Sequence, residues 1–309
     1  MLKKSASWRP RLKRLFPDAL FDEKMSRHTT FRIGGPADAM VSARGVEDLV
    51  RLYRFARSRR VPVFILGWGS NLLVRDGGIR GIVLRLKGDF EKLRFPGERR
   101  VWAGAGVRLQ KLVMACAQRG LAGTEPLIGV PGTVGGGLVM NAGTREREIG
   151  ELVRSAEFFD LKRLRVSTVP RSRITFRYRR SSLQKKLIIG ANLELRPGSK
   201  VDILRAVRKS QQRRLKTQPV HSFNVGSVFK NPPRRFVAKL IEDAGLKGRS
   251  AGGAQISRKH ANFIENRARA TARDVLRLVS EARKAVRERT GIELELEMKV
   301  VGEEAPSPA

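Results

Sequence analysis

Cysteine is nearly absent: Cys116 is the only one in 309 residues. An intramolecular disulfide is therefore excluded, a cysteine-based metal site has no ligand set, and the composition suits a reducing cytoplasm. Long apolar runs are missing too. No stretch is long enough to span a bilayer, and the opening MLKKSASWRPRLKRLF is charged throughout, without the apolar core of a signal peptide. The expectation is a globular protein that is neither exported nor embedded. Acidic residues are scarce, 29 against 64 Lys plus Arg, which leaves a formal net charge of +35. Such an excess favours polyanionic partners through counterion release: nucleic acid, anionic membrane or phosphorylated small molecules. Aromatics are only 6% and the basic residues are dispersed, from RRLKTQ through RSRITFRYRRS to RARATARDVLRL, with no nucleic-acid module. The charge reads as a solvated surface.

What is present is a core-forming chain. Hydrophobic residues make up 41%, and the length predicts two or three domains. Val46 to Arg60 places Leu49, Val50, Tyr53 and Ala56 on one helical face, and PVFILG follows as a buried strand. Ile82 to Leu86 alternates as a strand. LQKLVMACAQRG puts Leu109, Leu112, Val113 and Cys116 on one helix face, which makes Cys116 a core residue. Leu187 to Leu195 is a further strand, and the texture changes at Arg196 to Lys200, where a domain boundary is expected before the helical run VDILRAVRKSQQRRL. In the last third, RFVAKLIEDAG and ARDVLRLVSEARKAVRERTG read as helices ending at Gly. IELELEMKVV reads as a strand with Ile292, Leu294, Leu296, Met298 and Val300 on one face and Glu293, Glu295, Glu297 and Lys299 on the other. There is no internal repeat, and a disordered tail is expected over 303–309.

Two glycine-rich segments follow apolar ones. In LGWGSNLLVRDGG, Gly67 and Gly69 let the backbone approach a ligand while Ser70 and Asn71 add donors; in IGVPGTVGGGLVMNAG, the glycines from Gly129 to Gly137 present backbone N–H groups to a pyrophosphate. Neither matches the Rossmann fingerprint or the P-loop. Plain turns between strands are the ordinary alternative. NVGSVFKNPP, from Asn224 to Pro233, carries its own question, because a serine after Gly226 is ordinarily a turn former.

Taken in order, HTTFRIGGPAD, LGWGSNLLVRDGG, GTEPLIGVPGTVGG with MNAG, FRYRRS, VGSVFKNP, LIEDAGLKG, GGAQIS with KHANF, and GIELELEMKVVG resemble the UDP-N-acetylenolpyruvoylglucosamine reductases, the UDP-N-acetylmuramate dehydrogenases of peptidoglycan precursor synthesis, from His28 to Gly302. The resemblance implies an α+β fold: a two-lobed FAD-binding domain of the vanillyl-alcohol-oxidase type over 28–198 after a basic segment 1–27, then a smaller α+β substrate domain over 199–302. It implies noncovalent FAD held through Gly67, Gly69, Ser70, Asn71, Gly129, Gly132, Thr133, Gly135, Gly136 and Asn141, with NADPH as reductant. It also implies that the enolpyruvyl substrate accepts hydride at C3 and a proton at C2.

By the same resemblance, Ser227 matches the proton donor, while Arg179 and Glu297 stabilise the enolate. Tyr178, Lys230 and Asn231 match positions near the nucleotide diphosphate. No metal is implied. Without the resemblance, Arg179 is one basic residue among 64, alternation cannot single out Glu297, and His260 reads as a structural hydrogen-bonder. The chain also departs from the pattern. Thr217 stands where many relatives have a lysine, with Lys216 beside it; Trp68 replaces a small residue, and Arg177 a glycine. About seven residues separate Arg179 from Leu187, so the chain resembles the shorter branch, which lacks an inserted tyrosine loop. Another flavin oxidoreductase on the same cofactor fold, or a basic nucleic-acid-binding protein, are the competing expectations.

Overall fold

The computed structural model describes residues 7–305, so the first six residues of the basic segment and the last four of the expected tail lie outside the described residues. The chain packs into two compact units, each assembled from separate stretches. The first takes residues up to Leu20, Ala39–Trp68 and Gly81–Arg213; the second takes Phe21–Asp38, Gly69–Arg80 and the chain from Arg214 on.

Seven α-helices are present among the described residues: α1 Arg9–Leu15, α2 Val46–Arg59, α3 Leu109–Gln118, α4 Val134–Met140, α5 Lys200–Thr217, α6 Val237–Asp243 and α7 Ala272–Thr290. Helix α2 has Glu47 and Asp48 in its first turn and Arg57 and Arg59 in its last, the arrangement the helix dipole favours. It buries Leu49, Leu52, Tyr53, Phe55 and Ala56, so Leu52 and Phe55 join the expected stripe, while Val50 is only half-buried. Helix α3 buries Leu109, Leu112, Val113, Cys116 and Ala117, and that burial pushes the Cys116 thiol up to about 12. Cys116 is core, as its spacing predicted.

In the first unit a five-stranded antiparallel sheet has the order Arg165–Pro170, Val153–Asp160, Leu187–Glu194, Arg100–Gly104, Leu93–Arg94. A four-stranded sheet has the order Leu20–Lys24, Pro36–Ala43, Ile79–Leu86, Val63–Leu66. Its last pair is parallel, Val63 opposite Ile82. The fully buried runs of Ile82–Leu84 are what a covered sheet requires.

The core of the second unit gathers Phe31, Leu73, Phe229 and Ile256 with the stripe of α7, Ala272, Val275, Leu278, Val279, Ala282 and Val286. Helix α7 starts with a reciprocal capping box between Thr271 and Asp274 and stops at Gly291, whose φ is +71°. A small antiparallel sheet runs Ser250–Ala251, Ala254–Ile256, Ile264–Asn266. The strand expected over 292–301 needs correction: only Lys299–Val301 is strand, paired in parallel with Leu72–Val74. Upstream, Glu297 N and Met298 N both donate to Val228 O, at 2.9 and 3.2 Å. Two successive N–H groups on one carbonyl break the spacing a ladder needs. The alternation survives as burial: Leu294 and Met298 are buried, whereas Glu293 and Glu295 are exposed.

Candidate active site

In the first unit Gly67, at the start of the first glycine segment, meets the second. Val63–Leu66 runs out into Gly67, where an added Cβ would lie 2.9 Å from Thr133 Oγ1. Thr133 caps α4, its hydroxyl accepting from Gly136 N at 3.4 Å. The glycine-rich segment expected to present its N–H groups to a pyrophosphate is therefore the start of a helix, entered from a 3-10 turn, Glu125–Gly129, through Gly132 at φ +147°. Several of its polar groups are already committed. Val134 N donates to Val107 O at 2.8 Å, Gly135 N to Ala105 O at 2.9 Å, Gly137 N to Thr133 O at 2.8 Å, and Gly132 O accepts from Leu109 N at 3.0 Å.

Chain packing explains Gly135, whose added Cβ would sit 2.9 Å from Ala105 Cβ. Gly136 differs. A Cβ there would meet nothing closer than Thr133 Oγ1 at 3.6 Å, an ordinary contact, so the fold has room for a side chain and leaves a cradle instead. Beside it, Trp68 lies under the Arg108 guanidinium, 3.2 Å from ring centroid to Cζ.

The far end of α4 carries the second cluster. Asn141 ends the helix with φ +46° and is buried to 1% exposure. Its Nδ2 donates to Arg177 O at 3.1 Å and to the Glu148 carboxylate, and its Oδ1 accepts from Gly150 N at 3.1 Å. Arg177 pairs with Arg180 across a two-residue hairpin, so Tyr178 and Arg179 form its tip. Ser181 Oγ ties the returning strand to Val139 O at 3.0 Å. Arg179 takes φ +55°, a conformation that costs an L-residue about 1–2 kcal/mol and that glycine supplies freely. Its guanidinium stacks on Tyr178 at 4.8 Å and lies 3.9 Å from Glu148 Oε1. Burial pushes the Glu148 carboxyl up, against the pull of Arg179 and the Asn141 bond.

The second unit assembles the remaining positions. Gly226 has φ +79° and Asn224 holds the turn: its Oδ1 accepts from Gly226 N at 2.9 Å and its Nδ2 donates to Pro219 O at 2.9 Å. Backbone geometry and Asn224 thus do the work of a turn former. The half-buried Ser227 hydroxyl has no hydrogen-bond partner among the described residues. The next residues are clamped from two sides. Asn262, 3% exposed, donates to Phe229 O and accepts from Phe229 N, while its own carbonyl takes Val228 N at 2.9 Å.

From the other side come Glu297 N to Val228 O and Lys230 N to Glu295 O, both 2.9 Å. Ser227 and Glu297 therefore belong to adjoining backbone segments, and Asn71 joins them, its Nδ2 donating to Glu297 O at 3.1 Å. Glu297 is half-buried, whereas the side chains of Glu293 and Glu295 are 76% and 72% exposed. Burial separates the three carboxylates that alternation could not.

Other expected positions are tied up within this unit. Gly69 has φ +69°, and an added Cβ would strike His28 O at 2.2 Å; Ser70 is buried. Lys230 pairs with Glu295, and Asn231 Oδ1 accepts from Val237 N at 3.1 Å, at the start of α6. His260 Nδ1 accepts from Asn262 N at 3.3 Å, and burial lowers its pKa, which fits a structural role. Lys216 is exposed, but Arg214 keeps Nε buried with no partner among the described residues, and desolvation lowers its pKa. A hollow of about 670 Å³ is lined by Gln218, His221, Arg258, Lys259 and Arg267, with Glu265 its one acid. Sequence reasoning missed Asn224, Asn262 and Glu148. Asn224 was readable as a turn asparagine before glycine; the other two act through distant partners and leave no local pattern.

Comparison with known proteins adds the family. The profile of the UDP-N-acetylenolpyruvoylglucosamine reductase C-terminal domain matches residues 218–301, and that of an FAD binding domain matches 37–162. The chain is 45% identical over 282 residues to UDP-N-acetylenolpyruvoylglucosamine reductase 2 of Symbiobacterium thermophilum, covering 91% of each chain. It is 44% identical over 285 residues to the reductase of Moorella thermoacetica, covering 92% of this chain and 93% of that one. A crystal structure of the reductase from Thermus caldophilus superposes with a TM-score of 0.79 at 36% identity, covering 92% and 98% of the two chains.

Proposed function

The chain belongs to the UDP-N-acetylenolpyruvoylglucosamine reductase family, and from that premise we propose which of its residues perform the reaction and how. It is an FAD-dependent oxidoreductase of peptidoglycan precursor synthesis, with the α+β fold expected, an FAD-binding domain followed by a C-terminal α+β domain. The Gly136 cradle beside Thr133 and Gly67 fits a bound pyrophosphate, and Gly129, Gly132 and Gly135 shape the backbone of that segment; Gly69, Ser70 and Asn71 are assigned to the flavin by family resemblance. FAD, bound noncovalently, supplies two-electron chemistry between NADPH and the enolpyruvyl group. Asn141, with both ends of its side chain bonded within the fold, serves the site by fixing the end of α4.

Reduction of an unsaturated carboxylate at C3 places negative charge on C2 and the carboxyl oxygens. Arg179 meets that charge with its guanidinium, and Glu297, if protonated, donates a second hydrogen bond to the developing enolate. Ser227 gives its Oγ–H proton to C2. A serine hydroxyl is a weak acid, but a carbanion-like carbon is a stronger base, and holding the two in line removes the entropic part of the barrier. The observation that carries this reading is the turn at Asn224–Gly226. Asn224 and the left-handed glycine make the turn without the Ser227 hydroxyl, which stands unpartnered beside the Glu297 segment.

For the substrate, Tyr178, Lys230 and Asn231 serve the diphosphate, Lys230 exchanging Glu295 for a phosphate oxygen. Neither Lys216 nor Thr217 matches the buried, unpaired guanidinium nitrogen of Arg214, so Arg214 is the better replacement for the missing lysine. Nucleotide substrate, reductant and lone cysteine together support a cytoplasmic enzyme whose product serves cell-wall growth, shape and division. The test is spectroscopic. Purified protein should carry the flavin absorbance band, NADPH should bleach it, UDP-N-acetylglucosamine enolpyruvate should restore it, and UDP-N-acetylmuramate should appear by mass spectrometry. Acid precipitation should release the flavin into the supernatant. Failure of the substrate to restore the band would overturn the proposal.

A further inference from the structure

We propose that Glu148 is a positioning residue: its carboxylate divides between Asn141 and Arg179 and thereby aims the guanidinium that meets the developing enolate. The inference rests on the role given to Arg179 above. Arg179 sits at the tip of a two-residue hairpin, with its backbone in the left-handed region and its long side chain only 19% exposed. A tip residue of this kind is held by what packs against it. Among the groups that do so are the Tyr178 ring, 4.8 Å from Cζ, and Glu148 Oε1, 3.9 Å from Nη1.

Glu148 is itself fixed from three directions. Its Oε2 accepts from Asn141, whose Nδ2 also donates to Arg177 O at the base of the same hairpin. Its own N donates to Glu151 Oε1 at 2.7 Å in a reciprocal capping box at the 3-10 turn Ile149–Glu151. Its backbone also bridges Gly143 in the return from α4. One carboxylate thus ties the hairpin base, through Asn141, to the hairpin tip, through Arg179. The charged groups around it are Arg179 from the hairpin, Glu151 from the 3-10 turn, and Arg147, which pairs with Glu151 at 3.5 Å.

Burial raises the Glu148 pKa overall, which means that the surroundings favour the neutral form of this side chain despite Arg179. A carboxylate that the fold would rather have neutral, kept against an arginine, has the signature of a group retained for what its charge does to its partner. A misplacement of the arginine by about 1 Å is enough to slow the reaction about 10²-fold.

Glu148→Gln separates the two duties, because glutamine keeps an acceptor for Asn141 and loses the charge facing Arg179. Three readouts are taken on the FAD-loaded protein: thermal midpoint at pH 7, stopped-flow bleaching of the flavin band by NADPH, and its recovery with substrate. Glu148→Gln is expected to unfold at or above the parent temperature, to bleach at the parent rate, and to recover about 10- to 100-fold more slowly. The same substitution placed on Arg179→Ala is expected to slow recovery no further, because the group it aims is gone.

Equal slowing of bleaching and recovery, or a drop in thermal midpoint large enough to account for the loss, would reduce Glu148 to a structural cap and overturn the proposal. Full, multiplicative slowing in the double variant would overturn it too, since Glu148 would then act independently of Arg179. If Arg179→Ala alone recovers at the parent rate, it is the role of Arg179 that fails, and the two failures are told apart.

Discussion

Arg179→Gly sets the strain at the hairpin tip against the chemistry it carries. The parent backbone has φ +55° there, which costs about 1–2 kcal/mol that glycine does not incur. Glycine offsets part of that gain through the larger freedom of its unfolded chain, about 0.5–1 kcal/mol. The variant also loses the stack on Tyr178 at 4.8 Å, about 0.5–1 kcal/mol, and the attraction to Glu148 at 3.9 Å, up to about 1 kcal/mol. The backbone relief therefore offsets much of what the loss of these two contacts costs. Arg179→Ala loses the same contacts without the relief and should be less stable than the glycine variant by about 1 kcal/mol.

Catalysis should move the other way. Losing the only cation assigned to the enolate predicts a fall of about 10²–10³ in substrate-driven flavin recovery for both variants. Thermal unfolding followed by circular dichroism gives the first comparison and stopped-flow absorbance the second. An Arg179→Gly protein less stable than Arg179→Ala would refute the strain argument, and parent-like recovery in either variant would refute the catalytic one.

Asn262→Ala should destabilise by about 2–4 kcal/mol, since it leaves the N–H and C=O of buried Phe229 without the side chain that satisfies both, and a urea or thermal melt reads this directly. Asn224→Ala should slow substrate-driven recovery more than bleaching by NADPH, because the turn that presents Ser227 loses its bond to Gly226 N; equal effects on both would count against the turn's role. Because burial depresses the folded pKa of His260 below its usual 6.5, the unfolded chain binds the extra proton first. Stability should therefore fall as pH drops through about 6.5 and continue falling toward the folded pKa, and His260→Gln should flatten that slope. The +35 charge predicts weak binding to unrelated DNA duplexes that collapses between low and physiological salt; tight, sequence-selective binding at physiological salt would contradict the reading of the surface as solvated charge.

Much of this was legible in the sequence where the physics is local. The apolar stripes of α2, α3 and α7 and the stop at Gly291 follow from period and cap chemistry over a few residues. The glycine run at 135–137 carries no helical signal of its own, because glycine is a poor helix former. The Thr133 cap and the bonds of Val134 N and Gly135 N to Val107 O and Ala105 O override that preference. The terminal segment kept its alternation and lost its strand, since its partners are the Val228 carbonyl, which takes two successive N–H groups, and the Lys230 N–H rather than a regular ladder. Glu297 could be singled out only by burial, and Glu148 only by a contact 31 residues away at Arg179. No window of sequence contains either fact.

The central claim is that Ser227 is the acid, and Ser227→Ala tests it most directly by splitting the reaction. The turn does not need the hydroxyl, so the variant should fold and hold FAD as the parent does. Stopped-flow absorbance should then show NADPH bleaching the flavin band at the parent rate, and recovery with UDP-N-acetylglucosamine enolpyruvate slowed by about 10²–10⁴. Recovery at the parent rate would contradict the account and move the proton to Glu297 or to water.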